Sequence, residues 1–283
     1  MTKLQPVLSH FQTALILKAK KNGEPTVLTS IDLGISEITV TLMSDGAAFP
    51  EIGRLAWDQI ATINADTNGC FLIENNSIRA IRGFSQSTGR AMSLMPTTGA
   101  PALIIAGFPM HRMKGITPFE ASRAMSDAIG PFYGEVLDTA TGLGYTALCA
   151  VKTSTKVTTV EFDPLVPELA MLNPWSSALF TQDTISRIIG DSFDVIKDFP
   201  SEKFCAIIHD PPTLSLAGDL YSGEFYKQAF RVLRPGGKMF HYIGDPKSVA
   251  GNRTTQGVLR RLHDAGFKNV VSKPVAYGVT AIK

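Results

Sequence analysis

The segment that decides the fold reads Asp138-Thr139-Ala140-Thr141-Gly142-Leu143-Gly144-Tyr145-Thr146. It follows the strand-like run Glu135 to Asp138, and its two glycines let the backbone turn tightly and approach a ligand closely. Taken alone, such a turn is ordinary loop geometry, and its weight comes from its surroundings. Downstream, the strand-like runs Lys156 to Val160, Arg187 to Ile189, Phe204 to Ile208 and Lys238 to Ile243 alternate with segments of helix length. Strands alternating with helices predict a mostly parallel sheet covered on both faces, a doubly wound α/β domain.

Upstream of the segment, Thr117-Pro118-Phe119-Glu120 places a hydroxyl at the N-cap, proline at the first helical position and a carboxylate three residues on, which predicts a capped helix. Ala121, Ala124, Met125, Ala128 and Ile129 continue it at helical spacing, and Gly130-Pro131 stops it. Before residue 110 the texture differs. Ala14-Leu15-Ile16-Leu17, Ile38-Thr39-Val40-Thr41-Leu42 and Phe71-Leu72-Ile73 read as short strands between turn formers such as Asp45-Gly46 and Asn75-Asn76, with one helical window from Arg54 to Ile63. The expected organisation is a small β-rich N-terminal domain over residues 1–109 and the α/β domain over 110–283. Asn269 to Ser272 and Ala276 to Ile282, split by Lys273-Pro274, read as a terminal pair of strands.

Composition excludes several classes. Over 283 residues, 44% are hydrophobic and 18% charged, which fits a globular chain with a substantial core and not a disordered one. Twenty-seven Lys and Arg against 25 Asp and Glu leave +2, too weak a field to announce a polyanionic partner. Cys70, Cys149 and Cys205 are scattered and lack the paired spacing of a zinc site, so they read as buried thiols, and no metal is expected. The apolar run Thr13 to Leu17 is too short for a secretory signal, and no stretch approaches the roughly eighteen apolar residues of a membrane span. The reading is a cytoplasmic protein without a membrane partner.

In a doubly wound sheet the chemistry sits beyond the carboxyl ends of the strands. Glu161, in Glu161-Phe162-Asp163, ends the second strand 23 residues beyond Asp138, close to the roughly twenty at which an acid meets ribose hydroxyls. Gly190-Asp191-Ser192-Phe193 ends the third strand, His209-Asp210-Pro211-Pro212-Thr213 the fourth, and Arg234-Pro235-Gly236-Gly237 closes the helix before the fifth. A carboxylate at 138 repels a phosphate and suits an ammonium or sulfonium, which disfavours a dinucleotide. With these motifs in this order, residues from about Met110 to Ile243 resemble class I S-adenosylmethionine-dependent methyltransferases, with a Rossmann-like sheet. The resemblance implies that Asp138, Ala140, Gly142 and Gly144 hold the amino acid part of S-adenosylmethionine, Glu161 and Phe162 the ribose region, and Asp191, Ser192 and Phe193 the adenine. Ala140 departs from the pattern, because the family often has glycine there.

Asp210-Pro211-Pro212 resembles the motif with which amino-methyltransferases hold a target nitrogen, and implies Asp210, Pro211 and Pro212 as the acceptor side. Consecutive prolines donate no N–H and keep the backbone extended, so their carbonyls can be aimed at a donor. Thr213 stands where that family has an aromatic residue, which leaves Tyr221, Phe225 or Tyr242 to supply one. The implied acceptor is an RNA, a protein or a small molecule, and the implied assembly a homodimer. His209 and His241 read as hydrogen-bonded core residues that could also line the rim. His111-Arg112-Met113-Lys114 is the best local basic patch. A second resemblance is to spermidine synthases, which transfer an aminopropyl group from decarboxylated S-adenosylmethionine. Glu161-Phe162-Asp163-Pro164 and Leu220-Tyr221-Ser222-Gly223-Glu224-Phe225-Tyr226 carry it, although that group usually has a second aspartate shortly after the first, and here Pro211, Pro212 and Thr213 follow Asp210. The chain is also similar to predicted archaeal methyltransferases, and a cofactor-binding module without catalysis is the third reading.

Overall fold

The computed structural model describes residues 6–214, 217–245 and 248–283. By internal contacts the chain divides into two compact units, Met1–Phe119 with Leu165–Ala178, and Glu120–Pro164 with Leu179–Lys283.

The first unit is built from three small antiparallel sheets and two helices of the N-terminal region. Its core gathers Leu8, Ile16, Val40, Phe49, Leu55, Ile60, Ile63 and Phe71. The expected strand over Ala14–Leu17 is instead the middle of a helix, His10–Asn22. A capping box overrides the local apolar run: Ser9 Oγ accepts from Phe11 N at 3.3 Å, and Gln12 Oε1 accepts from Ser9 N at 3.0 Å. Gly23, at φ 72°, ends it in the left-handed conformation. The helical window begins later than expected, at Trp57, because Gly53–Ala56 is a strand paired with Gly46–Phe49.

Seven strands form the sheet of the second unit: β1 (Glu135–Asp138), β2 (Lys156–Glu161), β3 (Ile185–Ile189), β4 (Phe204–His209), β5 (Leu233–Tyr242), β6 (Lys268–Lys273) and β7 (Gly278–Ile282). Their order is β3-β2-β1-β4-β5-β7-β6, with β1 to β5 parallel and β7 antiparallel to both β5 and β6. The fold is α/β with a mixed, mostly parallel sheet. All six residues of β4 are buried, as a central parallel strand covered on both faces requires. The helix Gly223–Val232 is capped by Ser222 Oγ, which accepts from Phe225 N at 3.1 Å, and buries Phe225, Tyr226, Ala229 and Val232 on one face. These side chains share a core with Phe204, Ile207, Leu233 and Met239. Arg234-Pro235-Gly236-Gly237 does not close that helix but lies within β5, where a register shift opposite Phe204 to Ala206 absorbs the extra residues. No helix among the described residues is long and apolar enough to cross a membrane.

Candidate functional site

The order of the sheet reverses at β1, which pairs with β2 on one side and β4 on the other. In a sheet of this order the loops leaving two such strands diverge, and ligands bind in the crevice at their carboxyl ends. Asp138 is the last residue of β1 and fully buried. Its Oδ2 accepts from Thr146 Oγ1 at 3.0 Å and Thr159 Oγ1 at 2.9 Å, whereas Oδ1 is buried with no hydrogen-bond partner among the described residues. Thr159 has one proton to give and directs it to Asp138, so Thr141 donates to Thr159 across 2.6 Å. Loss of water, with a smaller push from the Glu161 charge, raises the Asp138 carboxyl to about 7 against the two threonine bonds and the Ala140 N–H.

Across the adjacent strand end, Glu161 closes the glycine turn. Its Oε2 accepts from Gly142 N at 2.8 Å and its Oε1 from Asp163 N at 3.1 Å, and burial raises its pKa against those bonds. Gly142 and Gly144 adopt φ 51° and 78°, conformations that favour glycine. Ala140 keeps a negative φ, so its methyl group is accommodated where glycine is common. Asp191 caps the helix Ser192–Asp198 by accepting from Phe193 N at 2.8 Å, and Ser192 Oγ donates to the Thr139 carbonyl at 2.6 Å. Phe162 is exposed at the end of β2, and Phe193 is half-buried with the Lys197 ammonium 4.2 Å from its ring centre.

Asp210 follows β4, two residues beyond Ile208, whose Cα pairs with that of Asp138. It is half-buried. Its carboxyl is pushed up to about 7, first by loss of water and then by the charge of Asp138. Of the three aromatics considered for the acceptor side, Phe225 is fully buried against His209. Tyr221 is buried as well, and its hydroxyl donates to the Pro212 carbonyl at 3.1 Å. Tyr242 is half-buried and close enough to Tyr221 for their charges to interact. His209 and His241 do not line a rim: both are fully buried, in register across β4 and β5. In the first unit, His111 Nδ1 accepts from Leu103 N at 3.2 Å and desolvation lowers its pKa to about 4, so it adds no charge to the basic run that contains it.

The crevice therefore assembles Asp138, Gly142, Gly144, Glu161, Asp191 and Asp210 on the ends of β1 to β4. Sequence reasoning missed Thr146, Thr159 and Thr139, which hold this arrangement. Their signal was polarity inside segments otherwise apolar enough to be buried on both faces. The residues fit an S-adenosyl donor: the orphaned Asp138 Oδ1 matches a buried ammonium, and the Glu161 oxygens retain acceptor capacity for a diol.

No family model matches the chain. An uncharacterised protein of Methanocaldococcus jannaschii is 40% identical over 291 residues, covering all of this chain and 99% of its own. The chain belongs to that protein's family. Over 100 residues, 33% of this chain, it is 34% identical to a polyamine aminopropyltransferase of Mycobacterium tuberculosis, and the match spans 19% of that protein. A spermidine synthase bound to the transition-state analogue AdoDATO has a similar structure, with TM-score 0.61, 20% identity and coverage of 71% of this chain and 72% of its own. The spermidine synthase of Thermotoga maritima gives TM-score 0.56 at 18% identity, with coverage of 74% and 75%. At these identities the structures share the fold.

Proposed function

We propose that the protein transfers an aminopropyl group from decarboxylated S-adenosylmethionine to an amine. The observation that carries this reading is the set of three acids, Asp138, Glu161 and Asp210, on the ends of adjacent strands, where Asp138 feels the charge of Glu161 and Asp210 that of Asp138. An intact donor brings its own carboxylate into that field, whereas a decarboxylated donor is a dication. The sequence motifs alone favoured methyl transfer. Two findings shift the balance: the similarity to aminopropyltransferases, and the Pro212 carbonyl, which bonds the Tyr221 hydroxyl inside the protein.

The donor supplies an electrophilic carbon next to a sulfonium. Asp138 offers Oδ1 to the donor's ammonium, and Glu161 offers both oxygens to the ribose diol. Asp210 orients the acceptor amine and takes one proton from its nitrogen as the new carbon–nitrogen bond forms and the carbon–sulfur bond breaks. A carboxyl near 7 is suited to accept that proton at neutral pH. Thr213 leaves the loop without a second acid, so this duty falls on Asp210. Holding the amine in line accounts for most of the rate, a contribution of roughly 7–11 kcal/mol in intramolecular models. The run Asp210-Pro211-Pro212 favours a second reading, methyl transfer from the intact donor.

The two are separated by incubating the protein with an amine mixture and either donor, then reading products by mass spectrometry. Aminopropylated amine with release of methylthioadenosine supports the proposal. Methylated product formed with the intact donor alone overturns it.

A further inference from the structure

His209 sits between the donor and acceptor sides of the crevice, fully buried, and both of its ring nitrogens are engaged. Nε2 lies 2.9 Å from the Leu220 carbonyl, which can only accept, so the ring proton is on Nε2. The neutral ring then accepts at Nδ1, and Thr139 Oγ1, 2.6 Å away, is the donor. The alternative acceptor for that hydroxyl, the Ile208 carbonyl, is at 3.4 Å. Phe225 stacks on the imidazole with centroids 4.6 Å apart, and the His241 ring meets it edge-on at 4.4 Å. Desolvation lowers the His209 pKa to about 3, so the ring stays neutral at any ordinary pH.

The bonds continue in both directions. Toward the donor, Thr139 follows Asp138, and its carbonyl receives the Ser192 hydroxyl next to Asp191. Toward the acceptor, Leu220 precedes Tyr221, whose hydroxyl holds Pro212, two residues beyond Asp210. Side-chain and backbone bonds thus tie the end of β3 to Thr139, Thr139 through the His209 ring to the Leu220 carbonyl of the turn Gly218–Tyr221, and that turn to Pro212. The stretch from the Thr139 hydroxyl through the imidazole to the Leu220 carbonyl is more than packing, since the direction of each of its two bonds fixes that of the other.

We propose that His209 is a positioning residue that couples the donor site to the acceptor loop, so that filling the donor site orders the turn carrying Leu220 and Tyr221. The inference rests on the donor site proposed above. Asparagine at 209 places an acceptor where Nδ1 is but does not reach Leu220, and glutamine places a donor where Nε2 is but abandons Thr139. The probe is methylthioadenosine, with hydrogen–deuterium exchange over residues 218–226 and calorimetric affinity as readouts.

In the parent protein the nucleoside is expected to slow exchange over this segment. His209→Asn should bind it with unchanged affinity and lose the protection. His209→Gln should bind it about fivefold to tenfold more weakly, the effect of one hydrogen bond, and lose the protection as well. Thr139→Val removes one hydroxyl at nearly constant volume and serves if the histidine variants melt below the working temperature; it too should lose the protection. Protection retained in Thr139→Val, or equal loss of affinity in both histidine variants, overturns the coupling and leaves the donor site standing. Failure of the parent to bind methylthioadenosine overturns the donor site and this inference with it.

Discussion

Gly142 and Glu161 are joined across the ends of β1 and β2 by a hydrogen bond of 2.8 Å from the glycine N–H to Oε2. The bond sets the carboxylate at the level of the glycine turn, so the acid that would meet the ribose and the backbone that would meet the rest of the donor move as one piece. Glu161→Ala is expected to weaken methylthioadenosine by about 1.5–3 kcal/mol for each charge-assisted bond lost. Unchanged calorimetric affinity in that variant would remove the ribose assignment.

Asp138 and Asp210 give the protein a definite pH response. Each folded-state pKa stands near 7, above an ordinary 3.8, so the native state holds more protons than the unfolded chain between those values. The associated stability is fully present below 3.8 and is lost as pH rises through 7. Thermal melts of the ligand-free protein should fall between pH 5 and about pH 8, and Asp210→Asn should flatten that fall. A cationic donor favours the ionised carboxylates, so binding at neutral pH should release protons. That release appears as a dependence of the calorimetric heat on the buffer's ionisation enthalpy, and its absence would mean that the pair does not face the donor.

Turnover depends on Asp210 in a different manner. Asp210→Ala should leave methylthioadenosine affinity nearly intact and lower turnover by about 10²-fold or more, as loss of a positioning or acid–base group does. In the parent, kcat/KM should rise with pH as Asp210 loses its proton through about 7. Asp210→Asn still orients through its carbonyl, so a variant that retains full activity and the same pH profile would exclude proton transfer by this group.

The α/β half was legible because its signals are local and repeated. β1 lies at Glu135–Asp138 as read, Glu161 ends β2, and Asp191 and Asp210 follow β3 and β4, at the places where a doubly wound sheet presents chemistry. The N-terminal helix was misread since Ala14 to Leu17 carries strand propensity, and the deciding residues were Ser9, Gln12 and Gly23 at its ends. The polar clasp was hidden for another reason. Thr139, Thr159 and His209 acquire partners 70, 21 and 11 residues away, and nothing in a linear pattern distinguishes them from threonines and histidines that merely fit a strand. The preference for methyl transfer rested on five motifs in order, on Asp210-Pro211-Pro212 and on the missing second aspartate, and the bond from Tyr221 to Pro212 is not legible in any of them.

The two glycines of the turn separate folding from binding. Gly142 has φ 51° with nothing within 4 Å of an added Cβ, so Gly142→Ala should cost only the left-handed conformation, about 1–2 kcal/mol. Gly144 has φ 78°, and a Cβ there would lie 2.6 Å from Leu179 Cδ2 and 2.9 Å from Cδ1, on a side chain that is fully buried. Leu179 cannot withdraw without opening space elsewhere, so Gly144→Ala should lose a further 1–3 kcal/mol or about that, the usual penalty of overpacking. Urea melts should therefore rank the parent above Gly142→Ala and Gly142→Ala above Gly144→Ala. Binding should depart from that order: the methyl group at 142 projects into the open space the donor would fill, so Gly142→Ala should bind methylthioadenosine more weakly than its stability loss explains. Equal melts for the two variants would show that Leu179 yields freely, and parental affinity in Gly142→Ala would show that the donor does not approach the turn.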